Sequence, residues 1–251
     1  VLGARPDAPY RREMSWKDFD RRANRIANLL LSRGIKRGTK IAVLMMNCLE
    51  FLPIYFGILK AGAIVVPMNY RYSSDEIKYC LSLADVEVLF FGPEFVERID
   101  AVQGDASLRA MFFVGRNEPP YAENCFKLAG FCSSSLPPVE LSPDDEAAIY
   151  FSSGTTGFPK AILHKHSALV ASCLTEQHHH SQTHGDVFLC IPPLYHTGAK
   201  MHWFGSLLTG GKAVLLRGTK PEWILRAVTE EKCTIVWLLV PWVQDILDDI
   251  D

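Results

Sequence analysis

Ala147-Ala148-Ile149-Tyr150-Phe151-Ser152-Ser153-Gly154-Thr155-Thr156-Gly157-Phe158-Pro159-Lys160-Ala161-Ile162-Leu163-His164 reads as a buried strand, a polar loop and a second strand. The loop carries serine and threonine hydroxyls, two glycines and a lysine. That chemistry suits a polyanion. Glycines let the backbone approach closely and expose its N–H groups. Hydroxyls donate to phosphate oxygens, and lysine adds a mobile positive charge. A Walker A loop, GxxxxGK(S/T), is excluded, because Phe158 and Pro159 separate Gly157 from Lys160 and Ala161 follows the lysine. Gly205 to Lys212 is a second near-miss. Ala213 stands where a magnesium-binding hydroxyl is needed, so a tight turn is the better reading there.

Outward from this loop, strands and helices alternate. Ser15 opens a helix whose apolar face is Phe19, Ala23, Ile26, Ala27 and Leu30, and Gly34 closes it. Ile41–Met46 is a continuous apolar strand, as expected where both sheet faces are covered. Asn47 is read as the cap of a helix running to Leu59, followed by a strand over Ala63–Val66. Ser73 or Ser74 starts the next helix, with Asp75 and Glu76 in its first turn. Strands follow at Val86–Phe91 and Met111–Val114, with a helix over Glu94–Val102 between them. Residues 115–145, rich in Pro and Ser, read as one long connection. Beyond the loop, helices are expected at 167–177, 201–208, 221–230 and 243–250, and strands at 187–191, 213–216 and 234–240. The order predicts an α/β fold with largely parallel sheets flanked by helices.

Composition narrows the function. The chain has 251 residues, 48% hydrophobic and 22% charged, a composition that argues against a disordered chain. A net charge of -2 without a basic stripe argues against nucleic acid. Seven scattered cysteines without a CxxC pair fit reduced thiols and a cytoplasmic setting. The apolar run Phe51–Met68 contains Pro53, Lys60, Gly62 and Pro67, and is read as helix, turn and strand rather than a transmembrane segment. His178-His179-His180, with His184, is read as a solvated helix end, since three adjacent histidines cannot face one ion from a regular helix. His164 and His166 are expected to alternate on one strand, and Asp144-Asp145-Glu146 to form a solvated turn.

Ser152 to Lys160 resembles the phosphate-binding signature of the adenylate-forming superfamily, (S/T)SGTTGxPKG, with Ala161 in place of the usual glycine. Three further stretches resemble family segments in order: Ser15–Gly34, Val43–Asn69, and Pro193-Leu194-Tyr195-His196-Thr197-Gly198, which is similar to the PLFHxxG motif. The resemblance implies an acyl- or aryl-CoA synthetase. A carboxylate would attack ATP to give an acyl-adenylate and pyrophosphate, and coenzyme A would then take the acyl group as a thioester. By the same likeness Ser152, Ser153, Gly154, Thr155, Thr156, Gly157 and Lys160 hold the ATP phosphates, with Thr156 near Mg2+. The resemblance also implies that His196, Tyr195 and Gly198 line the acyl pocket, with core packing the other reading of His196 and Tyr195, and that Met201, Trp203 and Phe204 are either its apolar wall or plain core. The partners implied are a small-molecule carboxylate, ATP and CoA, with a homodimer left open. Two alternatives stand beside this reading: an adenylation domain that loads a carrier protein, and a truncated non-catalytic nucleotide-binding module.

The family's YGxTE motif has no match, and its ribose-binding aspartate, downstream arginine and C-terminal-domain lysine would lie beyond Asp251. Residues 1–251 are therefore expected to be an incomplete large N-terminal domain, without the small C-terminal domain and inactive alone. The short interval between Pro6-Asp7-Ala8-Pro9-Tyr10 and Met14-Ser15-Trp16 suggests residues omitted near Tyr10–Arg11.

Overall fold

The computed structural model describes residues 12–104, 107–152 and 159–250. The expected break near Tyr10–Arg11 lies outside them. Two units divide the chain, one formed by residues 17–46 and 50–168, the other by 47–49 and 169–250 together with 12–16.

The first unit is built on a seven-stranded sheet, ordered β5-β4-β3-β1-β2-β6-β7. Its strands are β1 (Lys40–Leu44), β2 (Ile64–Pro67), β3 (Val86–Phe91), β4 (Ala110–Phe113), β5 (Glu123–Asn124), β6 (Glu146–Ser152) and β7 (Lys160–Lys165). Every neighbouring pair is parallel except β6 and β7, which form an antiparallel edge. The helices are α1 (Trp16–Ser32), α2 (Phe51–Lys60), α3 (Ser74–Leu83), α4 (Val96–Asp100) and α5 (Cys125–Gly130). From β1 the chain crosses through α2 to β2 on one side, then through α3 to β3 on the other. Right-handed crossovers then put α2 and α3 on opposite faces. This accounts for the continuous apolar strands: Ile41, Ala42, Val43 and Leu44 are all fully buried. Ala42 and Leu44 share a core with Ile77, Cys80 and Leu81 of α3.

Local chemistry sets the boundaries. Ser73 caps α3 in a capping box: its side chain accepts the Glu76 N–H, and the Glu76 carboxylate accepts the Ser73 N–H. Gly62 ends α2 with φ +74°, a left-handed conformation that only glycine adopts freely.

The second unit carries a three-stranded parallel sheet, β10-β8-β9. It comprises β8 (Val187–Cys190), α7 (Thr197–Thr209), β9 (Lys212–Leu215), α8 (Pro221–Glu231), β10 (Ile235–Val236) and α9 (Val240–Ile250). Its core joins Leu189, Ile191, Val214 and Leu216 to Ile224 and Ala227 of α8. Helix α6 (His166–His179) runs from the end of the first unit into the second. No helix among the described residues is long and apolar enough to cross a membrane.

Several expectations are corrected. Asn47 caps nothing: α2 starts at Phe51, after Glu50, and Asn47 bonds elsewhere. The 115–145 connection contains β5 and α5. Asn124 caps α5 by accepting the Phe126 and Lys127 N–H groups. The serine-rich stretch is held by α1, whose Asn24 and Asn28 side chains donate to the Ser134, Ser133 and Ser135 carbonyls. The last strand is only Ile235–Val236, and Val240 already opens α9. Pro241 explains this, since it has no N–H for a ladder but suits a first helical turn. His166 begins α6 rather than sharing a strand with His164.

Candidate functional site

The phosphate-loop candidate sits at the tip of the β6–β7 hairpin. β6 runs parallel to β2, so Ser152 lies at the carboxyl edge of the parallel strands, and β7 returns from there. In open α/β sheets this is the edge at which ligands bind. Ser152 is paired with Lys160 in the strand register, which fixes both ends of the loop. Lys160 is exposed and Ser152 half-buried. Ser153, Gly154, Thr155, Thr156 and Gly157 lie outside the described residues, as does the Mg2+ contact expected of Thr156. The base of the hairpin is well anchored. The Tyr150 hydroxyl lies 2.8 Å from that of Tyr55 on α2, and the Tyr150 ring meets His164 edge-on.

At the start of β6, Asp145 is more than a solvated turn. It pairs with Arg37, accepts the Ser142 N–H at 2.7 Å, and its carbonyl accepts the His166 N–H at 3.0 Å. The Arg37 hydrogen bond holds its carboxyl below the usual carboxylate range. His166 is half-buried, and that burial lowers its pKa from the ordinary 6.5. A concavity of about 370 Å³ lined by Lys36, Arg37, Glu87 and Arg109 opens at the amino ends of β1 and β3, opposite the edge that carries the loop. Arg109 is paired there with Glu87 at 3.1 Å.

In the second unit, the Pro193–Gly198 segment follows the carboxyl end of β8 and leads into α7, with His196 at the N-cap. His196 is exposed, while Tyr195 and Gly198 are half-buried. The Tyr195 and His196 rings lie 4.3 Å apart. Gly198 adjoins Trp237, whose ring a Cβ at Gly198 would meet at 3.8 Å, an ordinary contact. Met201, Trp203 and Phe204 are buried, and Trp203 packs edge-on against Trp16.

Three features were not drawn from the sequence. Asn47 is buried and clamps this segment: its amide donates to the Pro192 and Leu216 carbonyls at 2.9 Å, and its oxygen accepts the Leu194 N–H at 2.8 Å. The available signal was a polar residue directly after a buried strand. Lys200 on α7 is fully buried, which pushes its pKa well below the ordinary 10.5. A lone lysine in a helix that carries no carboxylate was the visible sign. Finally, Glu176 lies 3.6 Å from His180 and 3.5 Å from His202. His180 is exposed, as expected of a solvated helix end, and it also faces Glu176. His202 is buried, and that burial lowers its pKa. Spacing held a signal here too, because Glu176 precedes His180 by one helical turn.

The class defined by this sheet and by the hairpin at its carboxyl edge agrees with comparison to known proteins. A family model described as AMP-binding enzyme matches residues 4–251, and the chain belongs to that family. It is 30% identical over 239 residues to the acyl-CoA ligase SID4 of Ajellomyces capsulatus, covering 88% of this chain and 40% of that protein. The structure matches the inhibitor-bound N-terminal domain of FACL13 from Mycobacterium tuberculosis with a TM-score of 0.85 at 24% identity, over 93% of this chain and 57% of that one. It also matches an anthranilate CoA ligase, AuaEII, in complex with anthranoyl-AMP, with a TM-score of 0.84 at 25% identity, over 90% of this chain and 45% of that one. The chain thus spans less than half the length of SID4.

Proposed function

We propose that this chain provides the phosphate-binding loop and part of the acyl pocket of an AMP-forming acid–thiol ligase, as the incomplete large domain of that enzyme. A carboxylate oxygen attacks the α-phosphorus of ATP, the α–β bond breaks, and pyrophosphate leaves. The thiol of coenzyme A, giving up its proton, then attacks the acyl carbonyl and displaces AMP. The observation that carries this reading is the Ser152–Lys160 pairing, which closes a Ser/Thr/Gly loop at the carboxyl edge of a parallel sheet. Phosphoryl chemistry asks the protein for positioning and charge neutralisation, and that loop is composed for both. Mg2+ accompanying ATP would supply further charge neutralisation, with Thr156 the loop residue that would stand near it. AuaEII, with an aryl-adenylate bound, and SID4, an acyl-CoA ligase, support the two half-reactions.

The pocket proposal rests on the same edge rule. Tyr195, His196 and Gly198 follow the carboxyl end of β8, and His196 there shapes the acyl site rather than moving a proton. The test is ATP–pyrophosphate exchange by the full-length gene product across a panel of carboxylic acids. Magnesium-dependent exchange with at least one acid is expected, followed by AMP release with coenzyme A as sole acceptor. Exchange with no acid overturns the adenylation step. Exchange without CoA-dependent AMP release moves the acceptor to a carrier protein.

A further inference from the structure

We propose that Glu176, His180 and His202 form a binding site for a zinc-class divalent transition ion that ties the end of α6 to α7. One ligand atom from each residue lies within 4.8 Å of the other two. The Glu176 Oε2 atom is 3.6 Å from His180 Nε2 and 3.5 Å from His202 Nε2. A tetrahedral ion with bonds of about 2.0–2.1 Å needs ligand atoms roughly 3.3–3.4 Å apart, so both Glu176 separations lie near that spacing, and the His180–His202 separation, within 4.8 Å, is brought to it by side-chain rotation. Two imidazoles and one carboxylate are a donor set that zinc accepts with a fourth position open. The exposure of His180 leaves that position to solvent.

Two of the ligands are set by the backbone. Glu176 and His180 stand one helical turn apart, and the His180 N–H donates to the Glu176 carbonyl at 3.1 Å, so the turn continues through His180. The third is set by packing. His202 on α7 is buried with its ring stacked on Phe188, 5.5 Å between centroids. His178 and His179 do not join the cluster. The donors distinguish this site from the magnesium that accompanies ATP, because Mg2+ takes oxygen ligands in octahedral geometry. Bound across two helices, the ion is a clamp on α7, the helix that begins within the Tyr195–Gly198 segment. The assignment does not depend on the ligase reading.

The experiment is zinc competition between the untagged, EDTA-treated chain and a chromophoric chelator, alongside thermal unfolding with and without Zn2+. About one ion per chain is expected, with a rise in Tm that Mg2+ does not reproduce. Glu176→Gln and His180→Ala, both at solvent-accessible positions, should each weaken zinc binding by at least about tenfold and abolish the Tm rise. His178→Ala and His179→Ala should retain both. A wild-type chain that yields its zinc fully to the chelator overturns the proposal. So does equal loss in His178→Ala and His180→Ala, which would mean a histidine run binding ions without Glu176 and His202.

Discussion

The side-chain oxygen of Asn47, three residues past the end of β1, accepts the backbone N–H of Leu194 in the segment that precedes α7 at 2.8 Å. The same amide satisfies the carbonyls of Pro192 and Leu216, so one buried side chain serves three backbone groups. Asn47→Ala removes all three partners at once. Each buried group left unsatisfied costs about 1–3 kcal/mol, with partial relief from relaxation or entering water, so a loss of about 3 kcal/mol is expected in chemical denaturation. Asn47→Asp keeps the bond to Leu194 but turns a carboxylate toward two carbonyls, and should not restore stability. A loss below about 1 kcal/mol for the alanine variant would show that the clamp is dispensable.

Gly57 is the close-approach point between α1 and α2. A Cβ there would stand 2.6 Å from Ile26 Cβ and Cγ2 and 2.9 Å from the Ala23 carbonyl. Alanine normally favours a helix over glycine by about 1 kcal/mol. Here the clash involves a branched carbon on a helix and a backbone oxygen, neither of which swings aside. Gly57→Ala should therefore destabilise by about 1–3 kcal/mol, reversing the sign that propensity gives. A raised Tm would contradict this packing.

Much of the first unit was legible because its signals are local and mutually consistent. The capping serine, the apolar face of α1 and the unbroken run of β1 each report short-range physics, and the parallel sheet follows from their alternation. The elements misread were those decided at a distance. Asn47 looks like a helix cap by sequence, yet its partners are 145, 147 and 169 residues away. The serine-rich connection looks irregular because asparagines on α1, about a hundred residues earlier, satisfy its carbonyls. For the loop from Ser152, residue types alone suggested a polyanion site, and the described residues place only its two ends, Ser152 and Lys160. The Glu176–His180–His202 cluster was only half-visible. Helical spacing provides the first pair, but nothing local brings in the third residue from α7.

His166 makes stability depend on pH, with a sign set by burial. Its folded-state pKa lies below the ordinary 6.5 because burial disfavours the charged ring, with Asp145 pulling the other way and Arg37 reinforcing the shift. Between the folded and ordinary values the unfolded chain binds more protons than the folded one. Stability therefore falls as pH drops below about 6.5, and recovers as pH rises through that value. Asp145, lowered by its hydrogen bond to Arg37, adds a second loss only when pH falls through the carboxylate range. Denaturation midpoints measured from about pH 7.5 to about pH 5 should drop less in His166→Gln than in the parent chain. An identical slope in both would assign the acid sensitivity to other groups.

Lys160 separates a phosphate-binding role from a structural one. It is exposed and pairs with Ser152 only through the backbone register of the hairpin. Lys160→Ala should therefore leave thermal stability within about 0.5 kcal/mol, as surface substitutions do. On the proposed ligase reading, the same change in the full-length protein would withdraw a positive charge from the leaving pyrophosphate. The loss expected of one such stabilising group is about 10²- to 10³-fold in the rate of ATP–pyrophosphate exchange. Lys160→Arg keeps the charge but replaces a compact ammonium with a planar fork, so recovery should be partial. Exchange that survives Lys160→Ala undiminished would remove the lysine from the phosphate site while leaving the carboxylate panel to judge the adenylation reading itself.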